Sequence, residues 1–190
     1  GRAFSFVYGD KENGAFFNHM VVMFAYALYK RELTDEAWEV LSSIYNMAID
    51  TAKSRIYPCI PEYFNLEGRG MYSYLTGSAS WFLLTILTQA FGVRGKDGDL
   101  LIEPKLSVEQ FKRSSTLSIE RVFAGRRLQI KFFNPEKVGY ARYKIIKASL
   151  NSRNLLLKYP DRVIIKRKIL LGLPGARTHT LVITLGSKKE

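Results

Sequence analysis

Apolar positions recur with helical spacing through the first half of the chain and alternate with polar ones through the second. Residues 15–29 carry no formal charge, and Phe16, Phe17, Met20, Val21, Met23, Phe24, Ala27 and Leu28 cover every side of a 3.6-residue wheel. The pattern predicts a helix buried all round. It is short for a bilayer span, which takes about 20 residues, and reads as a core helix. Thr34 follows as a candidate N-cap with Asp35 and Glu36 in the first turn, and Ala37, Trp38, Leu41, Ile44, Tyr45 and Ala48 come at spacings of three and four. That is an amphipathic helix with its start signal in place.

Residues 54–70 contain Pro58, Pro61, Gly68 and Gly70 and read as a long structured loop of the kind that carries function. Residues 71–93 are again uncharged, but only 81–91 are strongly apolar, so a third buried helix is predicted over about 78–91 with Gly92 as its stop. Beyond Gly95 the period becomes two. Leu117, Ile119 and Arg121 alternate with Ser118, Glu120 and Val122; Gly125 marks a turn; Leu128, Ile130 and Phe132 alternate with Gln129 and Lys131. This predicts a hairpin. Further strands are expected at 140–146, 162–169 and 178–185, making an antiparallel β-sandwich or barrel.

Charge divides the chain at the same place. Residues 1–95 hold 8 Lys/Arg against 9 Asp/Glu, and residues 96–190 hold 21 against 8, so the net charge of +12 comes from −1 and +13. Two domains, 1–95 and 96–190, are therefore expected. At 190 residues with 47% hydrophobic and 24% charged side chains, the chain can build a real core, which excludes a disordered tail, a collagen-like fibre and a disulfide-dense mini-protein. The single cysteine, Cys59, has no internal partner and suits a reducing, cytoplasmic setting. The opening Gly1-Arg2-Ala3 lacks a charged-then-apolar start, so no secretory leader is expected, and the missing initiator Met suggests a piece of a longer protein.

Three polar groups stand where packing alone would not ask for them. Lys11-Glu12-Asn13-Gly14 precedes the first helix, which carries His19; Glu12 and Asn13 as helix caps with His19 as a satisfied core histidine is the competing explanation. Tyr74-Leu75-Thr76-Gly77-Ser78-Ala79-Ser80-Trp81 leads small hydroxylated residues into a helix start, which is either an ordinary N-cap or an anion site made of N–H groups and the Thr76 hydroxyl. Glu62, Tyr63 and Phe64 in the Pro-rich loop combine an acid with aromatics of the sort that line sugar sites; a solvated loop acid is the alternative. Zinc-ligand spacings, a P-loop, a GxSxG elbow and a Rossmann fingerprint are all missing from the sequence.

Taken in order, Lys11-Glu12-Asn13-Gly14-Ala15 with His19, Pro61-Glu62-Tyr63, Leu75-Thr76-Gly77-Ser78-Ala79-Ser80-Trp81 and Asp99-Leu100-Leu101-Ile102-Glu103-Pro104 resemble glycoside hydrolase family 94, the cellobiose and chitobiose phosphorylases formerly classed as glycosyltransferase family 36. The likeness covers about residues 8–106 and weakens across the β-rich remainder. It implies the final helices of an (α/α)6 barrel followed by an antiparallel jelly roll, as the C-terminal portion of an inverting phosphorylase that cleaves a β-linked gluco-oligosaccharide to a sugar 1-phosphate. By position, His19, Thr76 and Gly77 match the residues that hold phosphate, and Lys11 and Glu12 match the acceptor-sugar side. Glu62 falls near the phosphate where several members carry Gln, a departure, because a carboxylate beside a dianion is unfavourable unless protonated or turned away. The 61–64 and 67–70 segments look more like the branch acting on β-1,2-linked glucans. The general-acid Asp is implied upstream, so no residue here takes that role.

The resemblance implies no cofactor, with inorganic phosphate as co-substrate, and implies the missing N-terminal portion and a possible second copy as partners. Two other functions compete. A nucleic-acid-binding module would use Lys112, Arg113, Arg126, Arg127, Lys131, Arg142, Lys144, Lys147, Arg153, Lys166, Arg167 and Lys168, although their alternation along strands reads as a solvated face. A hydrolase or a noncatalytic glucan-binding fragment could use the same scaffold.

Overall fold

The computed structural model describes residues 5–57, 59–73 and 76–188. The chain mixes helices with mostly antiparallel sheets and divides into two units, one ending at Gln89 and the other beginning at Ala90.

In the first unit a short strand, β1 (Phe16–Phe17), leads into α1 (Asn18–Lys30), α2 (Thr34–Ile49) and a single turn, α3 (Thr51–Ser54). Two more short strands, β2 (Tyr63–Phe64) and β3 (Gly70–Met71), join β1 in an antiparallel sheet of order β1-β2-β3, with Phe16 opposite Phe64 and Tyr63 opposite Met71. The last helix is α4 (Gly77–Thr85). Val22, Ala25 and Tyr29 of α1 and Ala37, Leu41 and Ile44 of α2 are fully buried.

The expectation that α1 is buried all round is corrected. Met20, Met23 and Phe24 are 60%, 48% and 57% exposed, because α1 packs on α2 and α4 through the side that carries Asn18, Val22, Ala25 and Tyr29. Thr34 is likewise not the N-cap of α2. The Ala37 N–H already donates to Leu33 O (3.0 Å), so the helix begins one residue earlier and Thr34 is its buried first residue. The third helix starts near the expected place but does not stay α-helical to residue 91. Ile86–Ala90 is a π-helical turn. Thr85 and Thr88 donate their hydroxyls to Trp81 O and Leu84 O, each at 2.7 Å, and such back-bonding competes with the regular ladder and loosens it. Among the described residues no helix is long and apolar enough to cross a membrane.

The second unit contains β4 (Val93–Lys96), β5 (Asp99–Ile102), β6 (Thr116–Phe123), β7 (Arg126–Phe133), β8 (Tyr143–Leu150), β9 (Arg153–Asn154), β10 (Val163–Ile165), a short helix α5 (Arg167–Leu171) and β11 (Thr178–Ser187). Strands β10-β5-β4 form one antiparallel sheet and β6-β7-β11-β8-β9 the other. Leu100, Ile102, Val163 and Ile165 from the first share a hydrophobic core with Leu128, Ile130, Phe132, Ile145, Leu181 and Ile183 from the second. The β6–β7 hairpin follows the alternation, turning at Ala124-Gly125, where both residues have positive φ.

The antiparallel expectation needs one correction. Strand β11 inserts between β7 and β8, so it runs antiparallel to β8 but parallel to β7. The strand predicted over 162–169 also stops at Ile165. The chain then turns into α5, which buries Leu170, with the Arg167 N–H donating to Asp99 Oδ1 (2.8 Å). Residues Tyr140–Arg142 form a 3-10 turn before β8 begins at Tyr143.

Two positions allow direct tests. Gly92 has φ +66, and a Cβ there would lie 1.8 Å from Glu103 O, which the 3.0 Å bond from Glu103 N to Gly92 O keeps in place. Gly92→Ala is expected to destabilise the chain by about 2–4 kcal/mol in urea unfolding. The Asp99 carboxylate accepts from Lys166 Nζ (2.8 Å) and from Arg167 N, and these bonds lower its pKa below the usual value. A carboxyl depressed in the folded state adds stability above its unfolded pKa of about 4 and loses it as pH falls through the lower folded value. Asp99→Asn should therefore be less stable than the parent above about pH 4, with the gap closing in urea midpoints measured at progressively lower pH.

Candidate functional site

The site is organised around three backbone carbonyls in the Pro-rich segment. Ile60 O accepts from Thr76 Oγ1 (2.9 Å). Pro61 O accepts from Asn18 Nδ2 (2.8 Å) and Ser78 Oγ (2.9 Å), and Glu62 O accepts from Asn18 N (2.9 Å). The starts of α1 and α4 are thereby tied to one short stretch of extended chain. Asn18 is fully buried and Ser78 almost so, which makes these bonds strong constraints on position.

His19, next to Asn18 on α1, lies against the start of α4. A Cβ placed on Gly77 would stand 3.2 Å from its Cε1, 3.4 Å from Nδ1 and 3.6 Å from Nε2, so glycine is what lets the imidazole approach the α4 backbone this closely. Trp81, one turn further along α4, has its ring centroid 6.2 Å from the imidazole, and Tyr26 meets Trp81 edge-on at 5.7 Å. Thr76 caps α4, its Oγ1 accepting from Ala79 N at 3.4 Å. The first-turn N–H groups of Gly77 and Ser78 have no acceptor within the helix, so the corner pairs an imidazole with backbone donors at the positive end of a helix dipole. The Thr76 hydroxyl proton is directed at Ile60 O, which makes the residue a cap and a tie here rather than a free donor.

A second group surrounds Lys11. The preceding turn is closed by Gly9 N to Asn13 O (2.7 Å) and Asn13 Nδ2 to Phe6 O (2.7 Å), with Gly9 at φ +95. It presents Lys11 Nζ 3.8 Å from Glu62 Oε2 and 4.5 Å from the Tyr72 ring centroid. Glu62 is therefore compensated by an ammonium group. Burial, and then the Asp10 carboxylate 3.4 Å from its hydroxyl, push the Tyr63 phenol above its ordinary pKa. Glu12 sits exposed on the same turn.

The structure thus gathers His19, Thr76 and Gly77 into one corner and Lys11 with Glu62 into a neighbouring group joined to it through the Glu62 backbone. Glu12 stays at the surface. Tyr74, Leu75 and Pro58 lie outside the described residues. Asn18, Ser78 and Tyr72 were missed as site residues by sequence reasoning. The signal for Asn18 was its amide in an otherwise apolar run; Tyr72 had none, because its role depends on Lys11 arriving from far along the chain.

No protein-family model matches the chain. It is 29% identical over 118 residues to a cellobionic acid phosphorylase from Neurospora crassa and 27% identical over 111 residues to the cyclic beta-(1,2)-glucan synthase NdvB from Rhizobium meliloti. These alignments take in 56% and 53% of this chain but only 15% and 4% of the respective relatives. Over about half its length the chain is similar to two carbohydrate-active enzymes, and it corresponds to a small part of each.

Asn18→Ala should cost about 1–2 kcal/mol by removing one of the two donors to Pro61 O. Asn18→Asp should cost more, because it sets a carboxylate oxygen against that carbonyl in a buried place. Urea unfolding of the two variants gives the order.

Proposed function

We propose that the chain is the C-terminal part of an inverting β-glucoside phosphorylase related to glycoside hydrolase family 94, with residues 1–95 closing a helical barrel and 96–190 forming its β domain. The observation that carries this reading is the approach of the His19 imidazole to Gly77 at the start of α4. Similarity to a phosphorylase and to a β-(1,2)-glucan synthase supports it independently, and the second favours a β-1,2-linked glucan as substrate.

In this reading phosphate sits beside the imidazole, at the edge of the His19–Gly77 contact, where it also meets first-turn N–H groups of α4. Phosphate is an anion at neutral pH and needs positioning and charge compensation more than a general base. Inversion needs a protonated carboxyl on the leaving oxygen opposite the attacking phosphate, and that group is assigned outside this chain. Lys11 and Tyr72 face the acceptor sugar, with Glu12 exposed at the rim on the same turn as Lys11, and the Lys11–Glu62 pairing offsets the repulsion that a bare Glu62 would exert on a nearby dianion. Nucleic-acid binding gains less support, since Lys166 is paired with Asp99 and Arg126 donates to Leu171 O and Leu173 O.

The intact enzyme should release sugar 1-phosphate from a β-1,2-gluco-oligosaccharide in the presence of phosphate. Release of free sugar alone would identify a hydrolase instead. His19→Ala should raise the apparent KM for phosphate at least tenfold, and an unchanged phosphate dependence removes His19 from the site.

A further inference from the structure

We propose that a recess at the tip of the β2–β3 hairpin is a second anion-binding site, one that takes a phosphorylated sugar. The recess is about 660 Å³ and is lined by Ala52, Lys53, Arg55, Glu67 and Arg69. Three cations thus face one carboxylate. None of the three cations is in an ion pair among the described residues. Gathering like charges is unfavourable, and an anion among them would relieve that repulsion.

Two turns fix the backbone that carries the cations. Arg55 closes α3 in the left-handed region, at φ 58 and ψ 26, where glycine would sit without strain, so the turn carries a guanidinium at some conformational cost. On the other side, Asn65 Oδ1 accepts from Arg69 N (2.9 Å), Asn65 N donates to Arg69 O (3.0 Å), and Gly68 N donates to Asn65 O (2.9 Å). The Lys53 stem crosses this loop so closely that a Cβ on Gly68 would stand 2.8 Å from its Cε, and Gly68 itself has φ +79. The tip is therefore clasped against α3 by the Lys53 side chain.

The ligand class follows from the donors and the volume. Two guanidinium forks and an ammonium match the several oxygens of a phosphomonoester dianion. The recess is larger than a bare phosphate requires and falls in the range of small-molecule sites. Glu67 adds an acceptor that suits a sugar hydroxyl and disfavours a ligand that is anionic throughout. The recess is separate from the His19–Gly77 corner. It lies at the closed end of a hairpin whose open end bears Glu62 and Tyr72, with the pairs Tyr63–Met71 and Phe64–Gly70 between them, roughly 7–10 Å along the strand. The inference stands on different residues from the phosphorylase reading, so either can fail alone.

The test is calorimetric titration of the full chain with glucose 6-phosphate, inorganic phosphate and glucose. Glucose 6-phosphate should bind at least tenfold more tightly than either of the others. Arg55→Gln with Arg69→Gln should weaken that binding at least tenfold, while His19→Ala shifts it by less than twofold. Arg55→Gly serves as the folding control and should weaken binding with its unfolding midpoint kept or raised. Unchanged binding in the double variant, or loss of binding in His19→Ala alone, overturns the site. Equal affinity for inorganic phosphate in His19→Ala, which lacks the imidazole of the other proposed phosphate site, overturns the sugar-phosphate assignment.

Discussion

The first unit depends on hydrogen bonds to the carbonyls of Ile60, Pro61 and Glu62. Proline at 61 brings no N–H of its own but leaves its carbonyl free, and the Asn18 amide and Ser78 hydroxyl converge on it from two helices. Three of the donors to these carbonyls are side chains, the Thr76 and Ser78 hydroxyls and the Asn18 amide, and the fourth is Asn18 N, so polar residues at the two helix starts satisfy backbone acceptors of residues 60–62. A side effect is that two helix starts come to lie side by side, with His19 on one and Gly77 on the other. The candidate site is in this sense a product of backbone hydrogen-bond satisfaction.

Glycine at 77 then decides how near the two helix starts come. Any side chain there would meet the imidazole at 3.2–3.6 Å and press it away from the α4 backbone. Close approach keeps the imidazole beside the start of α4, at the positive end of its dipole. The Lys11–Glu62 pair works at longer range. It removes the net charge of a carboxylate that would otherwise oppose the corner and sets an ammonium group over the Tyr72 face.

The second unit is built on different physics, with two sheets sharing one apolar core. Its late strand, β11, brings Leu181, Ile183 and Leu185 into the middle of the larger sheet and makes ladders with both β7 and β8. Filling the centre of a sheet with the last strand makes that sheet's completion depend on the far end of the chain. A few of the unit's many cations are paired within it: Arg94 and Arg162 both pair with Glu103, and Lys166 pairs with Asp99.

Period and punctuation alone determined the division between a helical half and a β half, the existence of α1, α2 and α4 and the β6–β7 hairpin, whereas His19, Thr76, Gly77, Lys11, Glu12 and Glu62 stood out in polar groups whose roles came only from the resemblance to a family. Those signals are local, because helix and strand periods and turn residues act over a few positions. Only tertiary structure decided which face of α1 is covered, since Met20 and Phe24 are as apolar as Val22 and only the neighbouring helices distinguish them. The parallel pairing of β7 with β11, the conversion of 167–171 to helix and the convergence of Asn18 and Ser78 on Pro61 O were equally illegible. Each depends on partners tens of residues away, and hydrogen-bond satisfaction between distant segments leaves no periodic trace in the residues that achieve it.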